Sequence, residues 1–105
     1  NLFCLLKVAA KDFYADWCVE CKRMERYTFA DPKVIAALAG VELLQADVTD
    51  NDDLDQGLLK RFSLLGPPAL LFFDRDGKEL RGWRFVGYKD ASAFIKHVNG
   101  AFQGH

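Results

Sequence analysis

The chain has 105 residues, half of them hydrophobic, and its 14 basic and 15 acidic side chains leave a formal net charge of −1. This length predicts one domain, residues 1–105, with a hydrophobic core of its own. The balanced charge gives no indication of a nucleic-acid or polyanion partner. No apolar segment approaches the roughly 20 residues of a membrane span, so we expect the chain itself to be soluble.

The N-terminus and the number of cysteines carry two further expectations. The chain begins at Asn1 without a methionine, and its apolar run 2–6 is too short for a signal peptide, so we expect a fragment of a longer precursor. Three cysteines cannot pair completely within one chain. With Cys18 and Cys21 taken as a pair, we interpret Cys4 as a buried small hydrophobic residue rather than a regulatory or intermolecular thiol.

The first predicted strand runs from Lys7 to Tyr14 and leads into Cys18 and Cys21, where a helix to Phe29 is predicted to begin. A helix that opens at the first cysteine puts both sulfur atoms on one face, where they can close a disulfide ring. Unpaired N–H groups and the helix dipole stabilise a thiolate at that end. The spacing therefore predicts a redox site in which Cys18 is the nucleophile and Cys21 the resolving thiol.

The middle of the chain predicts a helix, a strand and another helix. Asp31 and Pro32 mark a helix start, and Gly40 marks its end. Residues 41–48 carry apolar side chains on both alternations, which predicts a parallel strand in the centre of a sheet. Acidic residues crowd the start of the next helix, residues 50–62, whose inner stripe is predicted from Leu54, Leu58 and Phe62.

The C-terminal part predicts a hairpin and a last helix. Residues 69–73 form an apolar strand, and residues 79–86 return antiparallel to it after a turn at 74–77. Asp90 is the predicted cap of the last helix. The order β, α, α, β, α, β, β, α predicts an α/β fold with a mixed central sheet flanked by helices on both faces.

Three features resemble the thioredoxin superfamily: the segment Trp17-Cys18-Val19-Glu20-Cys21-Lys22 after a strand, Asp12 six positions before the first cysteine, and Gly66-Pro67-Pro68 before an apolar strand. More narrowly, residues 14–32 and 72–79 are similar to the C-terminal periplasmic domains of the DsbD family of thiol:disulfide interchange proteins. The resemblance covers nearly the whole chain and implies a thioredoxin-like fold.

The resemblance also implies an activity and a place for it. Members of that family relay electrons by disulfide exchange, so the implied activity is that of a protein-disulfide reductase. The domain would take electrons from a membrane-embedded domain of its parent inner-membrane protein and pass them to a periplasmic partner domain through transient mixed disulfides. This implies a periplasmic, monomeric domain with no cofactor beyond the Cys18–Cys21 disulfide.

The acids near the cysteines agree with that direction. Asp12 and Glu20 place negative charge near Cys18, which raises the pKa of the thiol and weakens the domain as an oxidant. We expect Asp12 to be buried and to accept the proton of Cys21, although an ordinary polar residue at a strand end is the alternative. Glu20 is explained equally well by the favourable position of an acid in the first turn of a helix.

Three residues are predicted to meet the partner. By resemblance, Pro68 follows a cis peptide bond and faces the disulfide, and the backbone of Pro67 pairs with an extended chain of the partner. A rigid turn that starts a strand is the alternative for this segment. Trp17 is assigned to the apolar rim around the cysteines, and Tyr14 is left open between rim and core.

Three other functions compete with this interpretation. A Cys-x-x-Cys pair supplies half of a zinc shell, but Cys4, His97 and His105 lack the paired spacing of zinc modules, so no metal is predicted. A redox-inactive thioredoxin-like binding module usually lacks one of the two cysteines. A free-standing periplasmic thioredoxin-like reductase remains the alternative to a domain of a membrane protein.

Overall fold

The computed structural model describes residues 8–103. The predictions for Cys4 and for the start of the first strand at Lys7 therefore lie outside the described residues. The strands are β1 (Ala9–Tyr14), β2 (Glu42–Asp47), β3 (Ala69–Phe73) and β4 (Phe85–Val86). The helices are α1 (Val19–Arg23), α2 (Pro32–Ala37), α3 (Asp53–Arg61) and α4 (Ala91–Phe102), with a π-helical segment at Met24–Phe29 and a 3₁₀ turn at Arg81–Trp83.

The four strands form one mixed sheet in the order β2-β1-β3-β4. β1 and β2 run parallel, with Tyr14 paired to Asp47, whereas β1 and β3 run antiparallel, with Phe13 paired to Ala69. β4 adds antiparallel to β3. The predicted mixture of parallel and antiparallel strands is confirmed.

Helices cover both faces of the sheet, as predicted. On one face, Phe13 and Leu71 pack with Leu59 of α3 and with the two cysteines. On the other face, Phe72 packs with Phe94 of α4 and Val34 of α2. Each fully buried side chain of this size stabilises the fold by about 1.5–3 kcal/mol relative to an exposed one.

The position of β2 corrects one prediction. This strand was expected in the centre of the sheet, but it lies at an edge, and within residues 8–103 no strand pairs with its outer side. Only Ala46 of β2 is buried, while Leu43 and Leu44 are 57% and 47% exposed. An apolar run indicates that both faces of a strand can be buried, but it does not indicate how many strands pair with it.

Two smaller predictions were also wrong. The return strand 79–86 is broken by the 3₁₀ turn, so that Glu79 forms an isolated bridge with Phe73 and only Phe85–Val86 is extended. In α3 the predicted residues Leu58 and Phe62 pack against the core, but the side chain of Leu54 is 84% exposed and the buried position is Leu59.

The helix after the cysteines continues from α1 into the π-helical segment, and this segment is tied to the start of α4. The hydroxyl of the fully buried Thr28 donates to the carbonyl of Lys89 at 2.5 Å, and the Lys89 N–H points to the Met24 sulfur at 3.3 Å. Within residues 8–103 no helix has the length and hydropathy needed to cross a bilayer.

Candidate active site

Cys18 and Cys21 lie at the start of α1, which follows the C-terminal end of β1. The parallel strand β2 ends beside it, with Asp47 paired to Tyr14. Cys18 is the N-cap of α1 in extended conformation, and its sulfur accepts the N–H of Cys21 at 3.1 Å. The two residues form a disulfide with their Cα atoms 5.2 Å apart. Both are nearly inaccessible, at 6% and 3% exposure. The predicted pair at a helix start is therefore present.

Asp12 is half-buried in β1, and its side chain lines an apolar groove of about 340 Å³ bounded by β2, α2 and α4. Burial raises the pKa of Asp12 to about 6, a hydrogen bond from Gln45 lowers it, and the charge of Glu25 raises it. Neighbouring residues of a strand point to opposite faces. Asp12 accordingly lies on the other side of β1 from Phe13, whose carbonyl is 3.9 Å from the Cys21 sulfur.

Glu20 lies in the first turn of α1 and is already paired. Its two carboxylate oxygens accept hydrogen bonds from one Arg23 nitrogen at 2.9 and 3.0 Å. The guanidinium of Arg23 in turn stacks 4.0 Å above the ring of Tyr88. Both partners of this ion pair remain substantially exposed. The effect of the Glu20 charge on Cys18 is therefore weakened by the opposite charge of Arg23 and by solvent screening.

The turn between β1 and the cysteines is held from two sides. The buried Tyr14 donates its hydroxyl to Asp16 at 2.7 Å and accepts from the Lys22 ammonium at 2.6 Å. Trp17 is 57% exposed, yet its indole N–H donates to the carbonyl of Thr49 at 2.9 Å. Trp17 thus lies at the surface beside Cys18, as expected for the rim, and Tyr14 belongs to the core with its hydroxyl at the surface.

The Pro67-Pro68 peptide bond is cis, as the resemblance implied. Both prolines are half-buried, and Ala69 directly after them packs in the same cluster as Cys18 and Cys21. The carbonyl of Pro68 accepts the N–H of Gly87 at 3.2 Å. The fold therefore brings this bend to the same end of the sheet as the disulfide.

Sequence reasoning missed Gln45, Glu25 and Thr49. Gln45 and Glu25 act on the Asp12 carboxyl from β2 and from the π-helical segment, and only the tertiary fold brings them there. Thr49 follows the strand that pairs with β1, so its contact with Trp17 depends on strand order, which sequence did not give for β2. The exposed Lys22 of α1 contacts Tyr14 and Asp16.

Comparison with known proteins places this geometry in a family. A model of the thioredoxin-like family matches residues 11–75. The chain belongs to the thioredoxin-like family. Among solved structures of the family, the oxidised C-terminal domain of DsbD from Neisseria meningitidis is 36% identical with a TM-score of 0.79, over 90% of this chain and 80% of that domain.

Full-length relatives give the same result at higher identity. The thiol:disulfide interchange protein DsbD of Ralstonia nicotianae is 57% identical over 90 residues, or 86% of this chain, and that of Cronobacter sakazakii is 52% identical over 88 residues, or 84% of it. The chain spans only 15% of the length of each of these proteins. The predicted thioredoxin-like fold and the similarity to DsbD C-terminal domains are confirmed.

Proposed function

We propose that this domain is a protein-disulfide reductase that passes two electrons from the Cys18–Cys21 dithiol to a disulfide of another protein. The observation that carries the proposal is the placement of Cys18 as the N-cap of α1, bonded to Cys21 in a fold shared with DsbD C-terminal domains. A thiolate at a helix N-terminus is stabilised by backbone N–H groups and can act as a nucleophile. No other redox group is needed for the reaction.

The reaction balances in two exchange steps. The Cys18 thiolate attacks one sulfur of the partner disulfide, whose S–S bond breaks as the mixed disulfide forms and a partner thiolate leaves. Cys21 then loses its proton and attacks the Cys18 sulfur, which breaks the intermolecular bond and releases the second partner thiolate. The partner ends as a dithiol after taking up two protons, and the domain ends as the Cys18–Cys21 disulfide.

We assign the proton of Cys21 to Asp12 as its final acceptor. Asp12 has a carboxyl whose pKa is raised to about 6 by burial, which suits proton exchange near neutral pH. Because its side chain lines the groove on the face of β1 opposite to Phe13, the transfer is indirect. We assign to Glu20 an electrostatic effect on the Cys18 thiolate, and the strength of this effect depends on its ion pair with Arg23.

The reducing direction follows from the charges around the site. An enzyme is strongly oxidising when its nucleophilic thiolate is heavily stabilised. Here the negative charge of Glu25 acts on Asp12. Asp16 and Glu20 lie on either side of Cys18 in the sequence, and Lys22 and Arg23 offset their charges only in part because both ion pairs are exposed. Negative charge disfavours a thiolate, which weakens the oxidised form as an electron acceptor and favours donation.

The proposed partner surface surrounds the disulfide. Trp17 and Val19 are 57% and 72% exposed on either side of Cys18 in the chain and would form its apolar rim. Pro67 and Pro68 lie at the same end of the sheet and would meet an extended segment of the partner. Aromatic and apolar groups around a nucleophile are well suited to a transient interface.

We further propose that the domain works inside a longer protein. The full-length relatives are named thiol:disulfide interchange proteins, and the chain matches 15% of their length. In this proposal it is a periplasmic domain of an inner-membrane protein, reduced by a membrane-embedded domain and oxidised by a periplasmic partner domain. The gene sequence on both sides of this segment distinguishes such a parent from a free-standing periplasmic reductase.

The test is an equilibrium with glutathione together with a trapping variant, both in a Cys4→Ala background. The proposal predicts a potential well below about −120 mV, the range of strongly oxidising enzymes. Cys21→Ser should accumulate a mixed disulfide with a protein disulfide, whereas the matched Cys18→Ser variant should not. A potential near that of the strong oxidants would reverse the direction, and trapping by Cys18→Ser would exchange the two roles.

A further inference from the structure

Thr49 is the point at which the loop after β2 is joined to the turn that carries Trp17. Its hydroxyl oxygen accepts the backbone N–H of Asp16 at 2.9 Å, and its carbonyl accepts the indole N–H of Trp17 at 2.9 Å. The two residues that directly precede Cys18 are therefore both bonded to Thr49. One residue thus accepts hydrogen bonds from both Asp16 and Trp17.

Thr49 is itself fixed by Asp47. The Thr49 N–H donates to Asp47 Oδ1 at 2.9 Å, and the Thr49 hydroxyl also donates to Oδ1 in a short hydrogen bond. A hydroxyl has one hydrogen to give and lone pairs that accept, so donation to Asp47 leaves it free to accept from Asp16. These two hydrogen bonds hold the pKa of Asp47 below its usual range. The carboxylate thus stays charged and keeps Thr49 in place at neutral pH.

The backbone sets the distance between these groups. Tyr14 and Asp47 are paired at the ends of the parallel strands β1 and β2, and the Val48 N–H donates to the Tyr14 carbonyl at 2.7 Å. The segments that follow β1 and β2 leave the sheet side by side from this point. Thr49 consequently lies beside the 15–17 turn without any contribution from the cysteines.

We propose that Thr49 is a positioning residue that fixes the exposed Trp17 indole as a rigid docking platform beside Cys18. An exposed aromatic side chain without a hydrogen bond samples several rotamers and loses that freedom when a partner binds. Trp17 is 57% exposed but bonded through its indole nitrogen, so most of this ordering has occurred before the partner arrives. This inference rests on the proposed reductase function, and it assigns partner affinity rather than thiol chemistry to Thr49.

The first test measures the indole directly. Trp83→Phe leaves Trp17 as the one tryptophan, and the fluorescence anisotropy and acrylamide quenching of this variant are the reference. Thr49→Val keeps the carbonyl that accepts the Trp17 indole N–H but removes the hydroxyl that bonds Asp16 and Asp47, so the loop that presents this carbonyl should loosen. The anisotropy should therefore fall and the quenching constant should rise about twofold, whereas Thr49→Ser, which keeps the hydroxyl, should match the reference. Asp50→Ala is the matched control, since Asp50 is the next residue of the same loop and is exposed. An unchanged Trp17 signal in Thr49→Val overturns the proposal.

The second test separates docking from chemistry, with dithiothreitol as the electron donor. Thr49→Val should raise KM for the reduction of insulin about fivefold, because a loosened Trp17 indole must be ordered when the partner binds, and should leave kcat within about twofold. Its rate with oxidised glutathione, which is too small to use the platform, should not change. Thr49→Ser should restore the original KM. Equal losses on both substrates, or no rescue by serine, contradict a positioning role.

Two further measurements cover a variant that does not fold and a domain without reductase activity. Should Thr49→Val fail to fold by circular dichroism, Asp47→Ala removes the acceptor that holds Thr49 and should shift anisotropy and KM in the same directions. Should the unsubstituted domain reduce neither insulin nor glutathione, the reductase function fails, and the anisotropy alone then decides whether Thr49 positions Trp17.

Discussion

Asp12 and Gln45 stand opposite each other in the parallel pairing of β1 and β2, and both side chains line the same groove. Gln45 lies at the exposed edge of the sheet, whereas Asp12 is half-buried one strand further in. The Asp12 carboxyl is therefore linked through one hydrogen bond to a strand that faces solvent. Several properties of the domain depend on this pair.

The stability of the domain should depend on the ionisation of Asp12. Its pKa rises from 3.8 to about 6 on folding, so the folded state binds the proton more tightly and loses stability as the pH rises through 6. Asp12→Asn should therefore increase the free energy of unfolding by about 1–2 kcal/mol at pH 7 and have little effect at pH 4. Urea denaturation at both pH values measures this, with the exposed Asp50→Asn as control. A gain that is equal at both pH values would contradict it.

The rate of resolution should depend on the same carboxyl. Asp12→Asn cannot accept the proton of Cys21, so decay of the mixed disulfide should slow by about 10²-fold at pH 7. In the unsubstituted domain this rate should fall as the pH drops through about 6, where Asp12 becomes protonated. Stopped-flow mixing with a mixed disulfide of Cys18 measures the rate. An unchanged rate in Asp12→Asn removes this residue from the mechanism.

Gln45 should set the pKa of Asp12. The Gln45 hydrogen bond lowers this pKa, so Gln45→Leu should raise it above about 6. Gln45→Lys places a positive charge at the same position and should lower it. The carboxyl carbon shift of Asp12 in an NMR pH titration reports both changes, and shifts of the same sign in the two variants would disprove the assignment.

Glu20 and Arg23 form a matched pair for testing redox tuning. Glu20→Gln removes negative charge near Cys18 and should raise the reduction potential by about 10 mV. Arg23→Gln releases the carboxylate from its partner and should lower the potential by a similar amount. Equilibration with glutathione measures both. If neither variant moves the potential, Glu20 serves only the start of the helix.

The ion pair of Arg84 and Glu79 should be the main polar support of the sheet end that carries Pro68. Arg84 makes two hydrogen bonds to Glu79, at 2.6 and 2.8 Å, and one to the carbonyl of Phe62 at 2.7 Å. Arg84→Met leaves a half-buried carboxylate unpaired and should destabilise the domain by about 2 kcal/mol. Thermal unfolding measures this, and the exposed Arg81→Met should change stability by less than about 0.5 kcal/mol.

The local features of the fold were predictable because their causes are local. Asp31 with Pro32, and Asp90, cap the helices that they were predicted to cap, since capping depends on a few neighbouring residues. Cys18 and Cys21 pair because three residues of helix bring them together. The cis bond at Pro68 was predicted from resemblance alone, because the sequence pattern also fits an ordinary rigid turn.

The order and register of the strands in the sheet could not be predicted from the sequence. The edge position of β2 depends on which strand lies beside it, and its apolar residues are compatible with either position. Gln45 and Thr49 reach the site only because β2 runs parallel to β1 in one register. A shift of that register by one residue would turn Gln45 to the other face of the sheet.

The sulfur of Cys18 does more than react, because it also caps α1 by accepting the Cys21 N–H at 3.1 Å. Opening of the disulfide turns this sulfur into a thiolate, which is a stronger hydrogen-bond acceptor than a disulfide sulfur. The first turn of the helix is thus capped in both states. The helix start therefore needs no new capping partner when electrons enter or leave the site.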